Sequence, residues 1–195
     1  MSPILGIIAS SISGSISANS YESIATATGN GSASTITFSS IPSTYKHLQI
    51  RGIGKATVTT QASGLLNIQC NGDTGSNYAR HSLRGDGTTV AASGTASTTN
   101  TRFQDALAYS QTSPINMSNI FGAFIIDIHD YSSTSKYKTV RGFGGLDANN
   151  SSVDLEINLI SGVWMNTAAI SSITLSANDP FTTTTTFALY GIKGA

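Results

Sequence analysis

The stretch Asn119–Asp130, read N-I-F-G-A-F-I-I-D-I-H-D, constrains the fold of this chain more than any other. In an extended backbone, alternate side chains point to opposite faces. One face then carries Ile120, Gly122, Phe124, Ile126 and Ile128, with no polar side-chain atom among them. The other carries Phe121, Ala123 and Ile125 before turning polar at Asp127 and His129. This pattern predicts an inner strand, covered on both faces at its start and reaching solvent at its end. A helix is the rival reading, but β-branched and aromatic residues dominate and no helix cap opens the run.

From Tyr21 the chain reads as short strands separated by turns. The expected strands are Tyr21–Thr28, Ser34–Phe38, Lys46–Ile53, Leu65–Cys70, Arg102–Tyr109, Tyr137–Phe143, Val153–Ile160, Ile173–Ala177 and Phe187–Ile192. Alternation puts Leu48 and Ile50 inward and His47, Gln49 and Arg51 outward. Leu66, Ile68 and Cys70 share a face. Val153, Leu155, Ile157 and Leu159 share another, against Asp154, Glu156 and Asn158 on the opposite side. The part between Asn71 and Thr101 is looser: Asn71–Asn77 is rich in turn formers, and Thr88–Thr101 reads as a long loop or weak edge strand. Roughly ten strands with hardly any helix imply an all-β fold, an antiparallel β-sandwich and most simply a jelly roll, over residues 21–195.

Residues 1–20 differ from the rest. They are uncharged, with apolar side chains at Ile4, Leu5, Ile7, Ile8, Ile12 and Ile16, and too sparse in them to fold alone. They read either as a terminal strand on their own domain or as an extended N-terminal arm that docks on a neighbouring subunit or larger assembly. The first basic residue is Lys46, so the apolar start lacks the positive flank of a secretory signal. No apolar run approaches the ~18 residues of a membrane span.

Charged residues make up only 10% of the chain, against about 25% in an average soluble protein. Ten basic and ten acidic residues cancel, so no electrostatic footprint points to nucleic acid or an anionic membrane. A weakly charged surface suits a protein that works in contact with others. Cys70 is the only cysteine, which excludes an intrachain disulfide and a thiolate cluster, and its strand-like setting predicts a buried, inert thiol.

Few residues suggest chemistry. Asp127, His129 and Asp130 form D-x-H-D at a strand end; Asp127 and His129 share a face, but a zinc site needs a third protein ligand. Asp154 and Glu156 share a strand face that reads as solvated rather than as a glycosidase pair. Asn71–Asn77 spaces oxygen-bearing side chains loosely like a calcium loop but lacks the closing glutamate, so a hydrogen-bonded turn is the simpler reading. Arg84-Gly85-Asp86 is an R-G-D tripeptide in a plausible turn, too short to carry adhesion by itself. Trp164 and Met165 fall between two expected strands. With Tyr78, they are candidates for a partner or glycan contact, or Trp164 caps one end of the fold. No catalytic residue, metal site or cofactor is expected.

Several segments resemble a family of small structural proteins of tailed bacteriophages. These are S-P-I-L-G-I-I-A-S-S-I-S-G at Ser2–Gly14, Y-E-S-I-A-T at Tyr21–Thr26, I-P-S-T-Y-K-H-L-Q-I-R at Ile41–Arg51, N-G-D-T-G-S-N-Y at Asn71–Tyr78 and F-A-L-Y-G-I-K-G at Phe187–Gly194. The resemblance implies a β-sandwich virion component, often trimeric, whose N-terminal arm attaches to the particle. The expected function is a capsid decoration (cement) protein that binds between major capsid subunits, made in the host cytoplasm and carried on the virion. A tail-fibre or receptor-binding module that recognises host glycans is the alternative, and an enzyme is not expected.

Overall fold

The computed structural model describes residues 20–58, 63–110, 116–148 and 155–194. The expected arm residues Ile4, Leu5, Ile7, Ile8, Ile12 and Ile16 lie outside the described residues, as do Val153 and Asp154. Among the described residues there is no helix, and the fold is all-β. The strands are β1 (Tyr21–Thr28), β2 (Thr35–Phe38), β3 (His47–Ala56), β4 (Ser63–Cys70), β5 (Tyr78–Gly85), β6 (Val90–Thr98), β7 (Thr101–Tyr109), β8 (Gly122–His129), β9 (Lys138–Gly145), β10 (Ile157–Trp164), β11 (Ile173–Ser176) and β12 (Thr186–Ile192).

Hydrogen bonding joins all twelve into one mixed sheet with two arms. The longer arm runs β1-β12-β3-β8-β9-β10-β5-β6, every ladder antiparallel. The shorter runs β2-β11-β4-β7, also antiparallel. The two meet at β3, whose last residues Lys55 and Ala56 pair in parallel with Ala108 and Tyr109 of β7. That pair corrects the expectation of a purely antiparallel sheet. Its cause is local: the β3–β8 ladder ends at Gly54 opposite Gly122, so β3 outruns its partner and offers a free edge.

One apolar cluster holds the arms together, with Leu66 and Ile68 of β4, Phe103 of β7 and Leu175 of β11 packed with Ile50, Phe124, Ile126, Val140, Ile160 and Leu189 of the long arm. β7 crosses close to β9: a Cβ on Gly142 would lie 2.0 Å from Cε1 of Phe103. Only glycine lets the ring sit against the backbone there. Leu48, Ile50, Leu66, Ile68 and Cys70 are buried as their alternation predicts. Gln49 faces outward as expected but is covered by its neighbours there: its amide donates to Asp127 Oδ1 at 2.7 Å and its carbonyl accepts from Arg51 Nε at 2.7 Å.

β8 does lie between two strands, β3 and β9, with Gly122, Phe124, Ile126 and Ile128 buried. Its other face corrects the expectation: Ala123 and Ile125 are exposed, because no described element covers the outer side of the long arm. β10 departs further. It starts at Ile157 and continues to Trp164, burying Asn158, Ile160, Gly162 and Trp164 and leaving Ile157 and Leu159 outside. A strand has one parity, so burying Ile160 and Trp164 turns the odd-numbered Ile157 and Leu159 to the opposite face. The Thr88–Thr101 stretch contains an edge strand, β6, and its last residue opens β7, which lies between β4 and β3.

Candidate functional site

The sequence alternation that builds the core also builds a second apolar surface. Six neighbouring strands place residues in register across the outer face of the long arm. One row runs Arg51, Ile125, Phe143, Leu159, Leu83, Ala92. The next runs Ile53, Ala123, Gly145, Ile157, Gly85, Val90. Ile53, Leu83, Val90, Ile125, Phe143, Ile157 and Leu159 are between 42% and 78% exposed. Single exposed apolar side chains are ordinary, whereas a contiguous set points to an interaction surface. The row on the far side of Arg51–Ala92 is polar, with Gln49, Asp127, Arg141, Ser161, His81 and Gly94. The apolar surface is therefore a strip. Small residues at Ala123, Gly145 and Gly85 make it uneven. A depression of about 510 Å³ lies over Ile53, Ala123 and Ile125, and one of about 1010 Å³ lies over Gly85–Val90, Gly144–Asp147 and Leu155–Ile157. Phe143 borders both.

The residues singled out from sequence lie elsewhere. Trp164 is 1% exposed, stacked on Tyr78 with ring centroids 6.4 Å apart, and its indole N–H donates to Asp73 Oδ2 at 2.7 Å. Tyr78 is also 1% exposed, and its hydroxyl accepts the Cys70 N–H at 2.9 Å. Neither ring offers a surface to a partner or glycan, which corrects that expectation. The cause is that Trp164 belongs to β10 and not to a loop. Met165, one residue on, is 37% exposed. The Asn71–Asn77 segment is a hydrogen-bonded turn. Asn71 and Gly72 have φ of 52° and 65°. Asp73 accepts from Gly75 N at 2.8 Å and from the Asn77 amide at 2.9 Å, besides the indole. These bonds, led by the one from Trp164, hold the Asp73 carboxyl below its ordinary range.

Asp127 and His129 do share the outer face, but each has a local partner. Asp127 accepts from Gln49, and the His129 ring meets His47 edge-on at 5.1 Å. Asp130 turns away at φ 49° and pairs with Lys136 at 2.8 Å and Lys46 at 2.9 Å, which keep its carboxyl far below the usual range. Among the described residues, no three His, Cys, Asp or Glu side chains converge. Glu156 pairs with Arg84 at 3.0 Å, so the R-G-D arginine is engaged. Asp86 closes the β5–β6 turn, accepting from Thr88 N, Thr89 N and the Thr89 hydroxyl, which lower its carboxyl to about 2. Burial pushes the Cys70 thiol up to about 12.

These groups set the response to acid. Burial first, then His129, lowers the pKa of His47, whose Nδ1 accepts the Asp130 N–H at 3.0 Å. The unfolded chain therefore protonates this histidine at a higher pH than the folded one does. Stability falls as pH drops through about 6.5 towards the folded value. For Asp73 and Asp130 the folded pKa is depressed, so their contribution is present above about 4 and is lost as pH falls through the folded values. Melting temperature followed from pH 8 to 3 should decline in two stages (about 6.5 and below about 4). His47→Asn, which keeps an acceptor, should remove the first stage alone.

No helix among the described residues is long and apolar enough to cross a membrane. Comparison of the chain with protein-family models, curated proteins and solved structures finds no match.

Proposed function

We propose that this chain is a non-enzymatic structural subunit that works by docking in a larger assembly, and that the assembly is a bacteriophage virion. In this reading it is a capsid decoration (cement) protein. The two arms of the sheet face one another as a jelly-roll-type sandwich, and the protein binds where major capsid subunits meet and stabilises the head. The observation that carries the reading is the exposed apolar strip, since a solvent-facing row of Ile, Leu, Val and Phe stabilises nothing until another chain covers it. The resemblance of Ser2–Gly14, Ile41–Arg51 and Phe187–Gly194 to phage structural proteins supports the virion as the setting. The fibre reading relied on Trp164 and Tyr78 as ligand contacts, and both are buried.

Copy number tests the reading. A stained gel of purified particles should show the chain at capsid-like abundance; fibre-like abundance, or absence from particles, would refute the decoration role. A purified chain that turns over a substrate would refute the structural role. The strip also predicts a separation of effects. Phe143→Ser and Leu159→Ser should change unfolding free energy by no more than about 0.5 kcal/mol, as surface substitutions do. In a particle co-sedimentation assay, both should lose most binding.

A further inference from the structure

We infer that the apolar strip is one half of a two-fold interface, in which two copies of this chain pack outer face against outer face with their strands antiparallel. This rests on the reading of the chain as an assembly subunit and names what covers its exposed face.

The first argument is shape. A two-fold axis lying in the interface, across the strands and midway between the two apolar rows, sets each row of one copy against the other row of its mate. On β9, Phe143 then meets Gly145 of the other copy; on β8, Ile125 meets Ala123; on β5, Leu83 meets Gly85; on β6, Val90 meets Ala92. Large side chains enter the places left by small ones, as facing sheets do when they interdigitate. Leu159 and Ile157 of β10 meet as an apolar pair near the centre. Twist turns aligned sheets by about 30°, so the match is closest at β9 and β10, midway along the strip.

The second is charge. Asp86, Asp147 and Glu156 line the larger depression and make that border of the strip acidic, although Glu156 is paired with Arg84. Arg141, exposed, lies in the polar row along the opposite border. It comes two residues before Phe143, and Asp147 comes two residues after Gly145. The same axis therefore brings Arg141 of each copy opposite Asp147 of the other. On β5 it brings His81 to the turn that holds Asp86. Arg51 stays at the rim, its guanidinium 5.7 Å and 5.6 Å from the Tyr21 and Tyr190 rings. An axis along the strands would instead set the acidic border against itself, so the charge pattern selects the first arrangement. With a formal net charge of zero, the copies do not repel at long range.

The third is area. The two apolar rows with the two borders make four rows on six strands. At about 4.8 Å per strand and ~6.8 Å per row, that is roughly 29 Å by 27 Å, or ~780 Å² per copy. A stable interface takes about 800 Å² from each partner. An apolar centre inside a polar rim is also the ordinary layout of such interfaces. The surface has the size, the layout and the self-complementary charge of a dimer face.

The test reads the oligomeric state of the full chain by sedimentation equilibrium, and the expected result is a dimer. Arg141→Glu alone and Asp147→Lys alone should each weaken it about ten-fold or more, because each change is met twice in the interface. The double variant, with the charges exchanged, should recover the dimer. Phe143→Ser should give a monomer with unchanged circular dichroism. A monomeric wild-type chain, a trimer, single swaps without effect, or a double variant no better than the singles would each overturn the inference. Should a charge swap fail to fold, Phe143→Ser decides: a folded monomer supports the pairing and a folded dimer overturns it. A dimer absent from purified particles would refute the virion reading alone, and a monomer that binds particles through the strip would refute this pairing alone.

Discussion

Trp164→Ala lowers the unfolding free energy by about 3–5 kcal/mol, the cost of emptying a buried aromatic site. The indole is the largest fully buried side chain, lies against Tyr78, and ties β10 to the Asn71–Asn77 turn through Asp73. Without it, Asp73 loses the hydrogen bond that contributes most to its depressed pKa, and the amine of Lys138, 6.0 Å from the ring, loses its aromatic cover. Urea denaturation followed by circular dichroism measures the loss. Trp164→Phe should lose less, since it keeps most of the apolar area and forfeits the indole bond. A loss below about 1 kcal/mol for the alanine variant would place Trp164 among surface contacts after all.

Phe124→Ala should be about as costly, again about 3–5 kcal/mol. Its ring lies 5.6 Å from Phe187, under the backbone of Gly52, where a Cβ would come within 2.3 Å of the ring tip. Gly52→Ala alone should therefore destabilise by overpacking, about 1–3 kcal/mol. In the Phe124→Ala background the added methyl is relieved of its two closest contacts, keeping only the one with Phe187 Cδ1 at 2.8 Å, and the double variant should be more stable than the sum of the two single effects. A double-mutant cycle in urea reads that coupling directly. Strict additivity would mean that the ring and the glycine do not share the space the geometry assigns them.

Much of the core was legible because it is local. Phe124, Ile126 and Ile128 share one parity, as do Leu48 and Ile50, and their common burial follows from it; the exposure of Ile125, as apolar as its neighbours, does not. The outer strip was harder to see. Ile157 and Leu159 looked like a core face because they are the more apolar set within their own segment, yet the ladder is set by Ile160, Gly162 and Trp164 further on. β5 gave even less signal. Its inward positions include Arg80, Ser82 and Arg84, while Leu83 faces out, so its amphipathy is inverted. The strip itself is a product of register between six strands, four of them distant in sequence from the expected centre, and no window on the chain contains it. The turn chemistry of Asn71–Asn77 was readable, but not the fact that Trp164 closes it.

β3 pairs with β12 and β8 along most of its length and with β7 at its end, where the amine of Lys55 donates to the carbonyls of Met117 and Ser118. A cut made by a protease in one of the exposed turns would therefore not release half of the molecule. The pieces would stay clasped through this strand, and the nicked protein would run as two bands only after denaturation. Wherever proteases act on the folded chain, such tolerance of damage is worth as much as resistance to heat.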